Sequence, residues 1–522
     1  MKKFLQFALF TLLVAACSKE AGAPAPEPKD VSLEPSVAVS HSKMVLGRKL
    51  DNPYTVRNVR KAMASVYPTR SASSVQATDL YVRFLPDSPK ELQTLEELGL
   101  ELFDYPLDYE IQTEGDWYHD PSVPQESITW QYTLVPPGFD FPKGIDYEVL
   151  DECCLPERAV KTRGLEDLDW ASIERQAYEV SGNAELLEPA TRGRHRPSGR
   201  ITIVDNSYGS SRTSGVAGVR VRVHTFVRYD TDYTDSQGYY NIGKSYSAKP
   251  RYAIVYKNER GFSIGFNLII VPASTSTFGK GSPSGMDIRV DKSSDQTLYR
   301  RCAVNNSAYD YYTFCQKNRI STPPSDLRIW ILNTLRPSSA IMLHHGAFLD
   351  SNLSSKFFNV AKWIIRFFSP DVTIGTSGKN LDYQAIFAAT VHELAHTSHF
   401  RNVGTSYWNM YGHHVVSSYV MTGDCYGSGS ELAAGYCGVG EMWAYHIENE
   451  LCKDRYKRDF DFGSSYWFHP GIFKELEKLG FSKAVLFSAL RSDVTSIDAL
   501  KEKLCAIKPH KAAQVRALFE AA

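Results

Sequence analysis

Several features that would point to a function at once are missing from this 522-residue sequence. Positive charge is not in excess, because 58 Lys and Arg residues are balanced by 59 Asp and Glu residues, so the composition gives no indication of nucleic-acid binding. Nine cysteines are present, but no two form a C-x-x-C pair, so a zinc site built from thiolates is not expected. The apolar stretch near the N-terminus, residues 4–16, is too short to span a bilayer as a helix.

That apolar stretch instead has the layout of a secretory signal, because Lys2 and Lys3 precede it. Its end, Leu13-Val14-Ala15-Ala16-Cys17, resembles the lipobox of bacterial lipoproteins, and Ser18-Lys19-Glu20 resembles the surface-export signal of Bacteroidetes lipoproteins. The resemblance implies that cleavage leaves Cys17 as a lipidated N-terminus, and that the lipid attaches the protein to the outer membrane or cell surface. The alternative is a plain signal peptide with an incidental cysteine.

Eight cysteines remain once Cys17 is set aside, an even number in a compartment that permits disulfides. Connectivity cannot be derived from the sequence, and the adjacent pair Cys153 and Cys154 is difficult to assign. The candidate bridges are Cys302 with Cys315, Cys425 with Cys437, and Cys452 with Cys505.

The length of the chain predicts about three folded units. Residues 1–17 form the predicted signal and lipobox, and the Pro-rich residues 18–45 form a linker. Residues 46–190 are expected to form an N-terminal α+β domain. Within it, a strand at Leu80–Leu85, a helix at Ser88–Leu98 and a strand near Leu100–Phe103 suggest a β-α-β unit.

Residues 198–272 contain short β-branched runs separated by turn residues, which predict an all-β sandwich. The runs include Gly218-Val-Arg-Val-Arg-Val-His224 and Tyr233-Thr-Asp-Ser-Gln-Gly-Tyr-Tyr-Asn-Ile242. Their pattern resembles the carboxypeptidase regulatory-like, transthyretin-like domain of secreted proteins. The resemblance implies a supporting or binding role, so His224 is expected to be structural.

The clearest chemical signal lies in Tyr383–Phe400, an apolar segment with helical character that contains His392, Glu393 and His396. Positions four apart share a helix face, so both imidazoles can reach one cation. This is the H-E-x-x-H arrangement of zinc hydrolases, in which the Glu, not itself a ligand, takes a proton from a metal-bound water. A chance occurrence of the motif is the alternative, but placing these polar residues in an apolar run would be costly without partners.

Zinc needs a third protein ligand, and its position decides the class of enzyme. The spacing of metzincins fails, because His399 occupies their glycine position and Asn402 their third histidine position. The segment Gly404–Gly412 is similar to the aspzincin motif, but it is one residue too long and lacks an Asp. Glu441 follows a glycine-rich entry and precedes Ala444, which resembles the E-x-x-A pattern of gluzincins. The resemblance implies that Glu441 is the third ligand; Glu431, Glu448 and His399 are the alternatives.

A hydrolase also needs a donor that stabilises the developing oxyanion, and three residues near Glu441 are candidates: Tyr436, Tyr445 and His446. A strand at Asp371–Gly375, just before the active helix, is expected to be a sheet edge that pairs with an extended substrate.

The sequence therefore predicts a multidomain protein with an N-terminal α+β module, a transthyretin-like β-sandwich and a mostly helical α+β zincin-type catalytic domain at 286–522. The expected activity is peptide-bond hydrolysis with Zn²⁺ as cofactor, on a peptide or protein substrate. Two alternatives stay open: a non-catalytic surface-binding or adhesion lipoprotein with a zinc-stabilised fold, and a zinc hydrolase of non-peptide amides.

Overall fold

The structure, a computed structural model, describes residues 43–124, 127–162, 164–189, 195–209, 211–265, 273–332, 341–342, 371–376 and 382–522. The predicted signal peptide, Cys17 and most of the predicted linker 18–45 lie outside these ranges. Within them the chain has a mixed α/β fold that combines several sheets with twelve helices. None of the described helices is both long and apolar enough to cross a bilayer.

The helices are α1 (Val56–Val66), α2 (Pro89–Glu97), α3 (Pro156–Ala159), α4 (Trp170–Val180), α5 (Gln296–Asn318), α6 (Tyr383–Val403), α7 (Thr405–Thr422), α8 (Ala434–Tyr456), α9 (Gly471–Lys478), α10 (Lys483–Ala489), α11 (Ile497–Ile507) and α12 (Ala512–Glu520). The strands are β1 (Val45–Lys49), β2 (Asp79–Leu85), β3 (Tyr109–Thr113), β4 (Gln131–Val135), β5 (Asp146–Cys153), β6 (Ser198–Asp205), β7 (Arg212–Gly215), β8 (Val219–Thr225), β9 (Arg228–Tyr233), β10 (Tyr239–Asn241), β11 (Arg251–Asn258), β12 (Phe262–Gly265), β13 (Thr275–Lys280), β14 (Ile288–Val290), β15 (Leu327–Leu332), β16 (Ile341–Met342) and β17 (Val372–Gly375).

The N-terminal region contains the predicted strand β2 and helix α2, but the predicted β-α-β unit is wrong. Strand β2 lies between β4 and β5, and it pairs with both of them antiparallel. Residues 100–103 form only a single bridge, between Phe103 and Tyr132. The reason is tertiary: the ring of Phe103 is buried against Arg222, whose guanidinium lies 4.1 Å from its centroid, so this stretch packs on the next layer instead of extending the sheet.

The predicted β-sandwich region forms two sheets that share one core. Strands β7, β6, β10 and β14 make one sheet, and β9, β8, β11 and β13 belong to the other. Valines 219, 221 and 223 of β8 are at most 1% exposed and lie in this core, because alternate residues of a strand face the same side.

The second of these sheets continues past the predicted domain boundary. Strand β12 pairs antiparallel with β11 and parallel with β15, and β15 pairs parallel with β17. One eight-stranded sheet therefore joins the region 198–272 to the region that carries the H-E-x-x-H helix.

The strand before the active helix was expected to be a sheet edge, and this prediction is wrong. Strand β17 lies between β15 and β16, and it pairs antiparallel with β16, which is the last strand at this end of the sheet among the described residues. All four residues of β17 are buried, as suits an interior strand.

All eight cysteines within the described residues are buried and free, so the three candidate disulfides are absent. Cys302 and Cys315 lie on the same helix, α5. Thirteen helical residues correspond to a rise of about 20 Å, far beyond the reach of a disulfide. The two thiols stay protonated, because burial raises the pKa of each to about 12.

Charge complementarity joins the N-terminal module to the sandwich. The acidic partners come from the module and the basic partners from residues 220–301: Glu101 with Arg220 and Arg222, Glu157 and Glu174 with Arg228, and Asp116 with Arg301. Arg228 is only 1% exposed and is satisfied by both of its carboxylates. Loss of either carboxylate would leave the buried guanidinium with one of these two acidic partners.

His224 lies in the same interface and is held neutral. Its Nδ1 is 3.3 Å from the carbonyl oxygen of Phe226, which can only accept, so Nε2 accepts a hydrogen bond from the Tyr105 hydroxyl at 2.9 Å. Burial, assisted by the charges of Arg251 and Arg222, lowers the pKa of His224 from 6.5 to about 3.

We predict that His224→Gln flattens the pH dependence of stability. Below pH 6.5 the unfolded chain binds a proton at His224 that the folded chain excludes until about pH 3, so this group makes stability fall as the pH falls. Between about pH 6 and 4, the wild type should lose about 1.4 kcal/mol per pH unit more than the variant. Urea unfolding at a series of pH values measures the difference. The exposed His510→Gln is the control, and equal slopes for His224→Gln and wild type would contradict the prediction.

Candidate metal centre

Helix α6 carries the H-E-x-x-H residues in a buried setting. It begins after Asp382, whose Oδ1 accepts a hydrogen bond from the backbone N of Ala385 at 2.9 Å, and it ends at Gly404, where φ is +80°. His392 and His396 are 8% and 3% exposed, and their ring centroids are 4.9 Å apart. The four-residue spacing therefore presents both imidazoles on one face, as predicted.

The two imidazoles point toward α8, the helix that packs against α6 and carries Glu441. Nε2 of His392 lies 3.4 Å from one oxygen of Glu441, Oε2, and Nε2 of His396 lies 3.3 Å from the other, Oε1. The candidate ligand atoms of the three residues all lie within 4.8 Å of one another. Among the described residues, no other group of three His, Cys, Asp or Glu side chains converges in this way. Glu441, the carboxylate that was selected from the sequence, is the one that lies next to the two histidines.

The electrostatics of the three residues fit a bound cation. Burial alone would raise the pKa of Glu441, but His396 and His392 outweigh it and lower this pKa well below its usual range. Oε2 of Glu441 is nevertheless buried without a hydrogen bond from the described residues. A buried, ionised carboxylate whose two oxygens each face one imidazole nitrogen, and one of whose oxygens lacks a donor, is an environment in which a metal ion can supply positive charge. Two imidazoles and one carboxylate are ligands that zinc accepts.

Glu448 has a role that sequence reasoning missed, since it was considered only as an alternative ligand. Its Oε2 lies 2.9 Å from Nδ1 of His392, the ring nitrogen that does not face Glu441. A carboxylate on Nδ1 fixes the orientation of the ring and leaves Nε2 free to bind a metal. The available signal was periodicity, because Glu448 follows Glu441 by two helical turns and so lies on the same face of α8.

Tyr411 is the second residue that sequence reasoning missed. It lies on α7, within the segment Gly404–Gly412 that was rejected as a source of ligands. Its hydroxyl donates a hydrogen bond to Oε1 of Glu441, and its ring centroid is 5.7 Å from that of His396. A tyrosine that acts through a ligand has no spacing rule, so the motif could not reveal it.

Glu393, the predicted general base, is 6% exposed and lies on the same helix as the two histidines. It is not part of the group of atoms that converge on one point. Its role as the general base stays a prediction from the motif.

The three predicted oxyanion donors are placed differently. Tyr445 lies beside the centre, since its ring is 4.6 Å from that of His392 and its hydroxyl is 3.3 Å from the hydroxyl of Tyr426. Burial, with the charges of Glu441 and Glu448, raises the pKa of Tyr445 well above 10, so it stays a donor.

The other two donors have contacts elsewhere. Nε2 of His446 is 3.0 Å from a carboxylate oxygen of Glu477 on α9, and its ring packs on Phe473. The ring of Tyr436 stacks edge-on against Tyr407 with centroids 4.8 Å apart. The described contacts of Tyr436 and His446 therefore do not connect either residue to the three ligands.

We predict that Glu448→Gln weakens zinc binding although Glu448 is not a ligand. Losing the carboxylate that orients His392 should lower affinity by about 10- to 100-fold. Isothermal titration of the metal-free protein with Zn²⁺ measures the effect. Glu477→Gln is a matched control, because it removes a carboxylate from the imidazole of His446, also on α8, and it should leave affinity unchanged. Equal affinities in Glu448→Gln and Glu477→Gln would count against the assignment.

The chain matches no protein-family model, no curated protein and no solved structure. Its function must therefore be inferred from the geometry and chemistry of the site rather than from a relative.

Proposed function

We propose that the protein is a zinc-dependent metallopeptidase whose metal is held by His392, His396 and Glu441. The observation that carries the proposal is the convergence of the three ligand atoms within 4.8 Å inside a buried contact between α6 and α8. The two histidines come from one helix turn and the carboxylate from a helix far along the chain. Three protein ligands are the number that a catalytic zinc site uses, because a fourth position must stay open.

The residues of the chain divide the chemistry among them. Glu393 accepts a proton from the attacking water and delivers it to the leaving amine. Tyr445, kept protonated by burial, is the donor for the developing oxyanion. Glu448 holds His392 in the orientation that directs Nε2 to the centre. The chemistry that a bound zinc ion supplies is Lewis acidity, which polarises a carbonyl group and lowers the pKa of water.

The architecture around the centre is compatible with a zincin-type catalytic domain of the gluzincin class. Helix α6 packs on both β16 and β17, so the centre lies beside the end of the sheet. We infer that an extended peptide or protein substrate pairs with this end, where β16 is the outermost of the strands that the structure describes. The two sheets to which β6–β14 contribute are the reason for proposing a transthyretin-like module. We propose that this module stabilises the catalytic region.

We also propose that the protein is a lipoprotein, attached to the outer membrane or cell surface through a lipid on Cys17. The support is the sequence alone, in which the apolar stretch ends in small residues directly before a cysteine. A peptidase held at that surface would meet extracellular peptide or protein substrates.

We predict that Glu393→Gln retains zinc and loses peptide cleavage. The amide can accept no proton, so turnover should fall by about 10²- to 10⁴-fold while the three ligands stay in place. Metal analysis and digestion of a peptide library, followed by mass spectrometry, measure both quantities in the same samples. Glu450→Gln on α8, which removes a carboxylate paired with Lys483, is the control and should keep both zinc and activity.

The same experiment separates the alternatives. Wild-type turnover in Glu393→Gln would exclude this residue as the base. A wild-type protein that binds zinc and cleaves no peptide in the library would support the non-catalytic surface-binding alternative. Cleavage of non-peptide amides alone would support an amide hydrolase that uses the same residues.

A further inference from the structure

We propose that Tyr411 is a positioning residue that keeps Glu441 a one-oxygen ligand of the metal. The inference rests on the proposed function for the presence of the metal, and it concerns how many coordination positions the protein fills. Its chemical basis is that a carboxylate can bind a cation through one oxygen or through both.

The two oxygens of Glu441 have different surroundings. Each oxygen faces one imidazole: Oε1 lies 3.3 Å from Nε2 of His396, and Oε2 lies 3.4 Å from Nε2 of His392. Only Oε1 accepts the hydrogen bond of the Tyr411 hydroxyl, whereas Oε2 is buried without a hydrogen bond from the described residues. A hydrogen bond to an ionised carboxylate is strong and directional, so it occupies one lone pair of Oε1 and makes this oxygen the weaker ligand of the two. The other oxygen keeps its full capacity as a ligand.

The difference matters for the fourth position. His392, His396 and one oxygen of Glu441 leave a tetrahedral site with one place open. If both oxygens bound, the second oxygen would compete for that place or raise the coordination number. By holding Oε1, Tyr411 keeps open the place that a hydrolytic water needs.

The surroundings of Tyr411 are built to hold its ring in place. The ring packs edge-on against Trp408, with centroids 4.3 Å apart, and Trp408 in turn lies beside His396. On α8, the residue before Glu441 is Gly440, and a Cβ there would lie 3.3 Å from the Tyr411 ring. A glycine at this position makes room for the tyrosine next to the ligand that it contacts.

The variant that tests the proposal is Tyr411→Phe, which keeps the ring and removes only the hydroxyl. A matched control exists on the same helix: the buried Tyr407 donates its hydroxyl to the backbone carbonyl oxygens of Tyr436 and Val494, at 3.3 and 3.2 Å, rather than to Glu441. Tyr407→Phe therefore imposes a similar loss of one buried hydrogen bond without touching a ligand.

The readout is the visible spectrum of protein loaded with Co²⁺, which absorbs strongly at four-coordinate sites and weakly at higher coordination numbers. Wild type and Tyr407→Phe should show strong bands that shift when azide enters the open position. Tyr411→Phe should bind Co²⁺ with weaker bands and lose the response to azide. X-ray absorption on the zinc-loaded proteins should find one more oxygen at the metal in Tyr411→Phe than in wild type.

Unchanged bands and an unchanged azide response in metal-loaded Tyr411→Phe would overturn the inference and leave the proposed function intact. The proposed function can also fail while the inference holds: the expected spectra without peptide cleavage would support the inference and contradict the proposed peptidase activity. If Tyr411→Phe does not fold, X-ray absorption on wild type decides, because two carboxylate oxygens at zinc would refute the proposal and one would support it. A wild type that binds neither metal refutes both.

Discussion

The buried contact between one carboxylate and two imidazoles is the constraint on which the helical part of the molecule depends. Glu441 is 1% exposed, and an ionised carboxylate at that depth is costly unless charge and hydrogen bonds compensate it. His392 and His396 supply part of this compensation from α6, and Tyr411 supplies another part from α7. Three helices must therefore meet at one point. Gly440 on α8 permits the close approach of α7, since a Cβ there would lie 3.3 Å from the ring of Tyr411.

The part of the site that follows from local periodicity could be predicted, and the part that depends on contacts between helices could not. His392 and His396 were identified because four-residue spacing on a helix fixes which side chains share a face, whereas the role of Glu393 stays a prediction from the motif. Glu441 was selected by its resemblance to a family pattern, and the described geometry brings it to the histidines. The role of Glu448 depends on which ring nitrogen of His392 faces α8. The role of Tyr411 depends on how α7 folds back after Gly404. Neither role can be predicted from the spacing of residues in the sequence.

The same division explains the fold. The valines of β8 and the capping residue Ser88 of α2 are local signals, and both elements were predicted. Strand neighbours are a tertiary property: the next segment after α2 was expected to pair with β2, but β4 and β5 occupy both sides of that strand. The sandwich was expected to be separate from the region with the active helix, yet the strand pairing between β12 and β15 runs one sheet through both. Alternation of residue types identifies a strand and says nothing about which strand lies next to it.

Two imidazole–carboxylate pairs that each have one member on α8 illustrate what distinguishes the candidate metal centre from an ordinary buried ion pair. His446 meets Glu477 at 3.0 Å, and His392 meets Glu448 at 2.9 Å, so the two local geometries are nearly the same. For His446, the described contacts end with that one carboxylate and a packed ring. For His392, the second ring nitrogen faces another carboxylate, that of Glu441. His396 also approaches Glu441, and Oε2 of Glu441 still lacks a donor. In a single pair each group has its partner, whereas the converging group leaves one buried carboxylate oxygen without a donor, and a bound cation would satisfy that oxygen.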